Sequence, residues 1–157
     1  MQEIEIKKAT QNELKIIVDL IAKLLIDFNN RSGSDFIVDR DKLETVTQTL
    51  ITRPNFGAFI AYDVKDSPVG LITISEAFAI YNGGDFGVIT ELYVDRNSRS
   101  TGIGKLLLQS VFKFSEEMNW SKIEVGAPNS DEWPRTLKFY QNNGFHQKGP
   151  KLRIDLN

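Results

Sequence analysis

The stretch Arg99-Ser100-Thr101-Gly102-Ile103-Gly104-Lys105 constrains the fold more than any other part of this chain, because of what flanks it. Before it, Gly87–Val94 reads as an apolar strand; after it, residues from about 103 to 118 carry the spacing of an amphipathic helix. A glycine-rich turn between a strand and a helix leaves backbone N–H groups unpaired at the helix N-terminus, where the helix dipole favours negative charge. Gly102 and Gly104 have no Cβ, so a phosphate can approach the main chain closely. Arg99 and Lys105 add charge-assisted donors. The pattern predicts a pyrophosphate cradle.

Two other phosphate motifs fail on identity. A dinucleotide fingerprint requires a third glycine where Leu107 stands. A P-loop requires glycine at Arg99 and Ser or Thr at Leu106.

The rest of the chain alternates strand and helix patterns. Residues 3–8 alternate through Ile4 and Ile6 and predict a first strand. Thr10 and Glu13 have capping-box spacing, which starts a helix carrying Leu14, Ile17, Val18, Ile21, Leu24, Leu25 and Phe28. A loop is expected over 29–35 and a second helix over 41–51, stopped by Pro54. Strands follow at 56–63, 69–81 and 87–94, the last two joined through Asn82-Gly83-Gly84-Asp85, a hairpin signal. A strand at 122–126, a helix at 132–142 and short strands at 145–147 and 151–156 complete the expectation. The fold class is α/β, a single domain over 1–157 with a mixed sheet that is antiparallel through its first four strands.

Composition bounds the function classes. A net charge of -2 gives no sign of a nucleic-acid surface. No apolar run approaches a membrane span, and no signal-peptide pattern opens the chain, so a cytoplasmic protein is expected. With no cysteine, disulfides, Cys-based zinc sites and thiol-borne acyl groups are excluded, and no metal is expected. The single histidine, His146, is read as a partly exposed strand residue.

Leu92-Tyr93-Val94-Asp95-Arg96 leading into Arg99–Gly104 resembles the acetyl-CoA-binding motif of the GCN5-related N-acetyltransferase (GNAT) superfamily. Thr136–Phe145, with Phe139-Tyr140 followed by Gly144-Phe145, looks like that family's last helix. The resemblance covers residues 87–147 and implies a mostly antiparallel, twisted central sheet flanked by helices. It implies direct acetyl transfer from acetyl-CoA to a primary amine. The backbone of Leu92, Tyr93 and Val94 would meet the acetyl group and pantetheine arm. Residues Arg99, Ser100, Thr101, Gly102, Ile103, Gly104 and Lys105 would hold the pyrophosphate. Tyr140 would be the general acid that protonates the departing thiolate. Many members have Asn seven residues before this tyrosine, where Trp133 stands here; Asn129 or Trp133 itself would supply that cofactor contact.

The remaining site expectations come from the residues. Glu91 is a carboxylate within an apolar strand, between Ile89 and Tyr93, which makes it the candidate base. A two-residue Gly83-Gly84 turn would set Glu76 opposite Glu91, and the facing carboxylates would attract a cation; a bulge would break this pairing. Phe36, Phe78, Tyr81 and Phe86, with Asp35 and Asp85, are candidates to line an acceptor site for a small cationic amine. A protein N-terminus or lysine as acceptor, or a non-catalytic acyl-CoA-binding domain, are the alternatives. A homodimer is compatible with the sequence.

Overall fold

A computed structural model describes residues 3–126, 133–149 and 152–156. The chain resolves into two compact units, Met1–Glu124 and Val125–Asn157.

The first unit opens with β1 (Glu5–Lys8) and the Thr10 cap. Thr10 accepts from the Asn12 amide while Glu13 accepts from the Thr10 amide, so the capping box forms as predicted. It begins a 3-10 turn, Gln11–Glu13, that runs straight into α1 (Leu14–Ser32). α1 continues into the segment expected as loop and stops at left-handed Gly33 (φ 66°). α2 (Arg40–Leu50) is capped by Asp39, whose side chain accepts from the Lys42 amide. Then come β2 (Phe56–Tyr62), β3 (Pro68–Ala79), β4 (Gly84–Val94), α3 (Ile103–Glu117) and β5 (Ile123–Val125). The sheet order follows the chain, and β1 to β4 pair antiparallel.

Alternation along the strands divides the core in two. One sheet face carries Ala58, Ile60, Tyr62, Leu71 and Tyr93, packed with Ile17, Leu20 and Leu24 of α1. On the other, Phe59 meets Phe114 of α3 edge to face at 5.8 Å, and Phe114 in turn meets Trp120. Gly70 lets α3 close on the sheet: a Cβ there would lie 3.3 Å from both Ile103 and Leu107. Leu71 and Ile72, adjacent on β3 and facing opposite sides, are both wholly buried, which is what a strand covered on both faces requires.

The β3–β4 hairpin departs from the expected register. Ile80–Asn82 forms a 3-10 turn ended by left-handed Gly83 (φ 84°), so Ala79 pairs with Gly84 and Phe78 with Asp85. Four residues make the connection rather than two. Glu76 consequently faces Gly87, not Glu91. A second irregularity lies between Thr73 and Ile74, which pair with Glu91 and Ile89, leaving Thr90 as an extra residue on β4.

In the second unit α4 (Pro134–Asn142) begins with Pro at its first position, where a missing N–H costs nothing. Its predicted start at Glu132 lies outside the described residues. Residues 145–149 and 152–156 are in neither helix nor strand, so the two last predicted strands, and with them the strand placement of His146, are corrected. Leu152, Ile154 and Leu156 do alternate, but all three are exposed. Alternation records which side chains share a face; a strand also needs a ladder partner, which one-strand periodicity does not supply.

Candidate active site

The bulge at Thr90 sets the chemistry of β4. The Asp95 amide donates to the Val69 carbonyl at 2.8 Å, which fixes the phase of the antiparallel ladder at this end. Asp95 and Tyr93 direct their backbone groups toward β3, while Leu92 and Val94, one residue out of step, direct theirs away from it. On that outer side, Gly87 donates to the carbonyl of Lys122, just before β5. β5 has three residues, and Leu92 lies five residues beyond Gly87, so among the described residues the β5 ladder ends before Leu92–Val94. The extra residue therefore swaps which amides point away from β3. Of the three residues expected to offer backbone to a cofactor, Leu92 and Val94 turn theirs away from β3, with the Val94 carbonyl taken by Arg99. Tyr93 is the correction: its backbone is committed to Leu71 and its ring to the α1-side core.

The Tyr93 phenol is pushed up to about 12 by burial, with a hydrogen bond to Asp95 and that carboxylate's charge adding to the effect.

Beyond Val94, the turn 95–102 presents the cradle. Ser100 (φ 63°) and Gly102 (φ 90°) are both left-handed, and Gly102 caps α3 with no side-chain hydrogen bond. The first intrahelical bond runs from the Leu106 amide to the Gly102 carbonyl, at 3.2 Å. The amides of Ile103, Gly104 and Lys105 precede it at the positive end of the helix dipole. A Cβ at Gly102 would meet no atom within 4 Å, so the space above the turn is open. The donor set and the open approach fit a pyrophosphate. Arg99 is turned differently from the expectation that its side chain grips phosphate. Its Nε–H donates to the Val94 carbonyl at 2.8 Å, and its Nη2 donates to Asp27 of α1 at 2.9 Å. Lys105 is exposed.

Glu91 sits on the same face as Thr73 and Tyr93, the face toward α1. The bulge puts Ile89 on the other face, so the predicted Ile89–Glu91–Tyr93 row is corrected. The Glu91 amide donates to the Thr73 hydroxyl at 3.0 Å, and the Glu91 carboxylate accepts from the hydroxyls of Thr73 and Thr90. Since a carboxylate only accepts, Thr73 is the donor to it.

Glu76 is not its partner. It lies on the α3 face, where it accepts from Trp120 Nε1 at 2.8 Å and from Asn55 Nδ2 at 3.2 Å. The facing-carboxylate arrangement is overturned, because the four-residue turn and the bulge both shift the register.

The predicted acceptor lining is likewise not assembled around Glu91. Phe78 and Asp85 pair on the Glu76 side of the sheet, Tyr81 is exposed at the hairpin tip, and Phe86 is buried. Phe36 packs on Phe28, with centroids 6.1 Å apart, and its backbone is tied at both ends to the Asn29 side chain.

In the second unit, Tyr140 is buried on α4 with its ring edge-on to Phe139 and Phe145, at 5.3 and 5.4 Å. The Phe145 amide returns to the Tyr140 carbonyl at 3.1 Å, which explains why the aromatic pair brackets Gly144. Burial pushes the phenol up, so it keeps its proton at neutral pH. Trp133 precedes Pro134 and is buried. Asn129 lies outside the described residues.

Sequence reasoning passed over Asp27 and Thr73. Asp27 had a signal, an acidic residue continuing the Ile17–Leu20–Leu24 stripe of α1. Thr73 had none, because only the bulge brings it to Glu91.

Comparison with known proteins fixes what this strand–turn–helix unit is. Residues 54–147 match the family model of the acetyltransferase (GNAT) domain. The chain belongs to the GNAT acetyltransferases. Solved structures agree over nearly the whole chain. A protein described as a predicted acetyltransferase from Clostridium acetobutylicum, solved with acetyl-CoA, is 20% identical with a TM-score of 0.79, covering 98% of this chain and 97% of that one. An aminoglycoside acetyltransferase from an uncultured soil metagenomic sample is 25% identical with a TM-score of 0.75, over 98% and 97%. The aminoglycoside 6'-N-acetyltransferase of Acinetobacter baumannii is 16% identical with a TM-score of 0.75, over 99% of each chain. No curated protein sequence matches. Among the described residues of this GNAT protein, no helix is long and apolar enough to cross a membrane.

Proposed function

We propose that this GNAT protein transfers the acetyl group of acetyl-CoA directly to a primary amine of a small cationic molecule of the aminoglycoside or polyamine type. The observation that carries the reading is the phase change in β4, which turns Leu92 and Val94 away from β3 on the strand leading into an uncapped α3 N-terminus. That arrangement suits one extended ligand with a polar arm and a pyrophosphate. Acetyl-CoA supplies the activated acetyl group as a thioester.

Each residue then has a separable task. The amides of Ile103, Gly104 and Lys105, with the backbone of Ser100, Thr101 and Gly102, hold the pyrophosphate by charge-assisted hydrogen bonds. The outward groups of Leu92 hold the polar arm, and the Val94 N–H, on a residue whose carbonyl is taken by Arg99, stabilises negative charge developing on the acetyl oxygen. Glu91 takes the proton from the amine, directly or through water. Tyr140, which keeps its proton, gives it to the departing sulfur. Trp133 and Asn129 remain candidates to border the arm.

The acceptor class draws support from the soil-metagenome aminoglycoside acetyltransferase, which matches this chain end to end. Release of free thiol from acetyl-CoA, measured across aminoglycosides, polyamines, amino acids and short peptides, tests it. Turnover is expected with the aminoglycosides or polyamines. Turnover with peptides alone would replace the small acceptor by a protein one, and tight acetyl-CoA binding without any turnover would favour a sensing domain.

A further inference from the structure

We propose that Asp27 is a positioning residue of the cofactor cradle, holding Arg99 folded against the Val94 carbonyl and so fixing the turn that presents the pyrophosphate-binding amides. The proposal rests on the coenzyme A reading of that cradle.

Asp27 occupies the core-facing stripe of α1 and is buried. A carboxylate there requires compensation. Three guanidinium groups supply it: Arg99 Nη2 at 2.9 Å, and Arg96 Nη2 and Arg31 Nε each at 3.7 Å. Arg99 is the short contact, and it makes a second bond, from Nε–H to the Val94 carbonyl. Its guanidinium lies 5.9 Å from the centroid of the Tyr93 ring. One side chain in the middle of the turn thus ties the end of β4 to α1.

Besides Arg99, the turn is held by the Asp95 amide on the Val69 carbonyl at 2.8 Å and by the Thr101 hydroxyl on the Ser98 carbonyl at 2.5 Å. Within it, the Ser98 amide reaches Asp95 at 2.9 Å and the Arg99 amide reaches Arg96 at a long 3.4 Å. Ser100 and Gly102 are left-handed, and no side chain caps α3. A non-glycine residue in that conformation persists when its surroundings hold it there. The Lys23–Asp95 pair at 3.7 Å is half exposed on its lysine side and adds little. Removing the Asp27 charge would release Arg99 beside two like charges and let the turn drift. The planar fork also matters, since an ammonium group cannot make the same two directed bonds.

The test measures coenzyme A affinity by calorimetry, and kcat and KM for acetyl-CoA, in wild type, Asp27→Asn, Asp27→Glu, Arg99→Lys and the Asp27→Asn/Arg99→Lys double variant. Asp27→Asn is expected to raise Kd and KM roughly ten- to a hundredfold, the worth of one charged hydrogen bond, with kcat at saturation held within about threefold. Asp27→Glu should recover part of the loss. Arg99→Lys, which keeps the charge and carries the test if Asp27→Asn does not fold, should shift Kd in the same direction. The double variant should be no weaker than the weaker single one. An unchanged Kd in the folded variants, a fall in kcat at constant KM, or additive losses would each overturn the proposal while leaving the cofactor reading intact. A wild-type protein that does not bind coenzyme A would overturn both.

Discussion

Tyr140 and Gly102 separate chemistry from binding at the scale of single residues. Burial raises the Tyr140 phenol from its ordinary 10.0, so the group stays a proton donor throughout the neutral range. Tyr140→Phe is expected to lower kcat roughly a hundredfold, the usual worth of general-acid assistance, while coenzyme A affinity by calorimetry stays near wild type. Gly102→Glu should do the opposite. A Cβ there meets no atom within 4 Å, so packing at that carbon is not the obstacle. A left-handed backbone and a carboxylate set where phosphate should lie are, and Kd for coenzyme A should rise roughly tenfold or more. An unchanged kcat in the first variant would remove Tyr140 from the mechanism; an unchanged Kd in the second would move the pyrophosphate elsewhere.

Among the elements, β4 is shaped as much by what it lacks as by what it carries. Gly87 allows Trp120 to lie across the sheet: a Cβ there would fall 2.8 Å from Trp120 Cε3 and 2.9 Å from Ile74 Cδ1. Trp120 then reaches Glu76 with its indole N–H. Gly87→Ala is expected to cost about 1–3 kcal/mol by overpacking, read as a lower urea midpoint at unchanged slope. Ile72, wholly buried between the α1 and α3 layers, should cost about 2–5 kcal/mol on replacement by Ala. Neither residue lies in the turn 95–102, although Ile72 pairs with Leu92. Coenzyme A affinity of the folded protein should survive both, and its loss would mean that sheet packing and the cradle are one cooperative unit.

For the whole molecule, the buried phenols predict the course of alkaline unfolding. Tyr93 and Tyr140 both have folded-state values raised above the unfolded 10.0, so each favours the fold in its protonated form. That contribution is complete below pH 10 and is lost as the pH climbs through the folded values, about 12 for Tyr93. The thermal midpoint should therefore decline on the alkaline side above about pH 10. Tyr93→Phe should flatten the decline, which a melting series against pH will show; an unaltered slope would place the alkaline loss in other groups.

The sequence by itself determined the order of elements as far as α4, the cap at Thr10, the strand–turn–helix unit and the family, because each rests on short local patterns. Glycines at 102 and 104, and the aromatic pair before Gly144, carry their meaning locally. Register and facing do not. Whether Glu91 meets Glu76 or Thr73 depends on a four-residue turn at Ile80–Gly83 and on one extra residue, Thr90, and a shift of one residue moves every later side chain to the other face. The ladder phase that turns Leu92 and Val94 away from β3, the Arg99 fold toward Asp27 and the separation of Phe78 from Glu91 follow from that same pairing. Pairing is a contest between two strands for hydrogen bonds and burial, and only the tertiary structure decides its outcome.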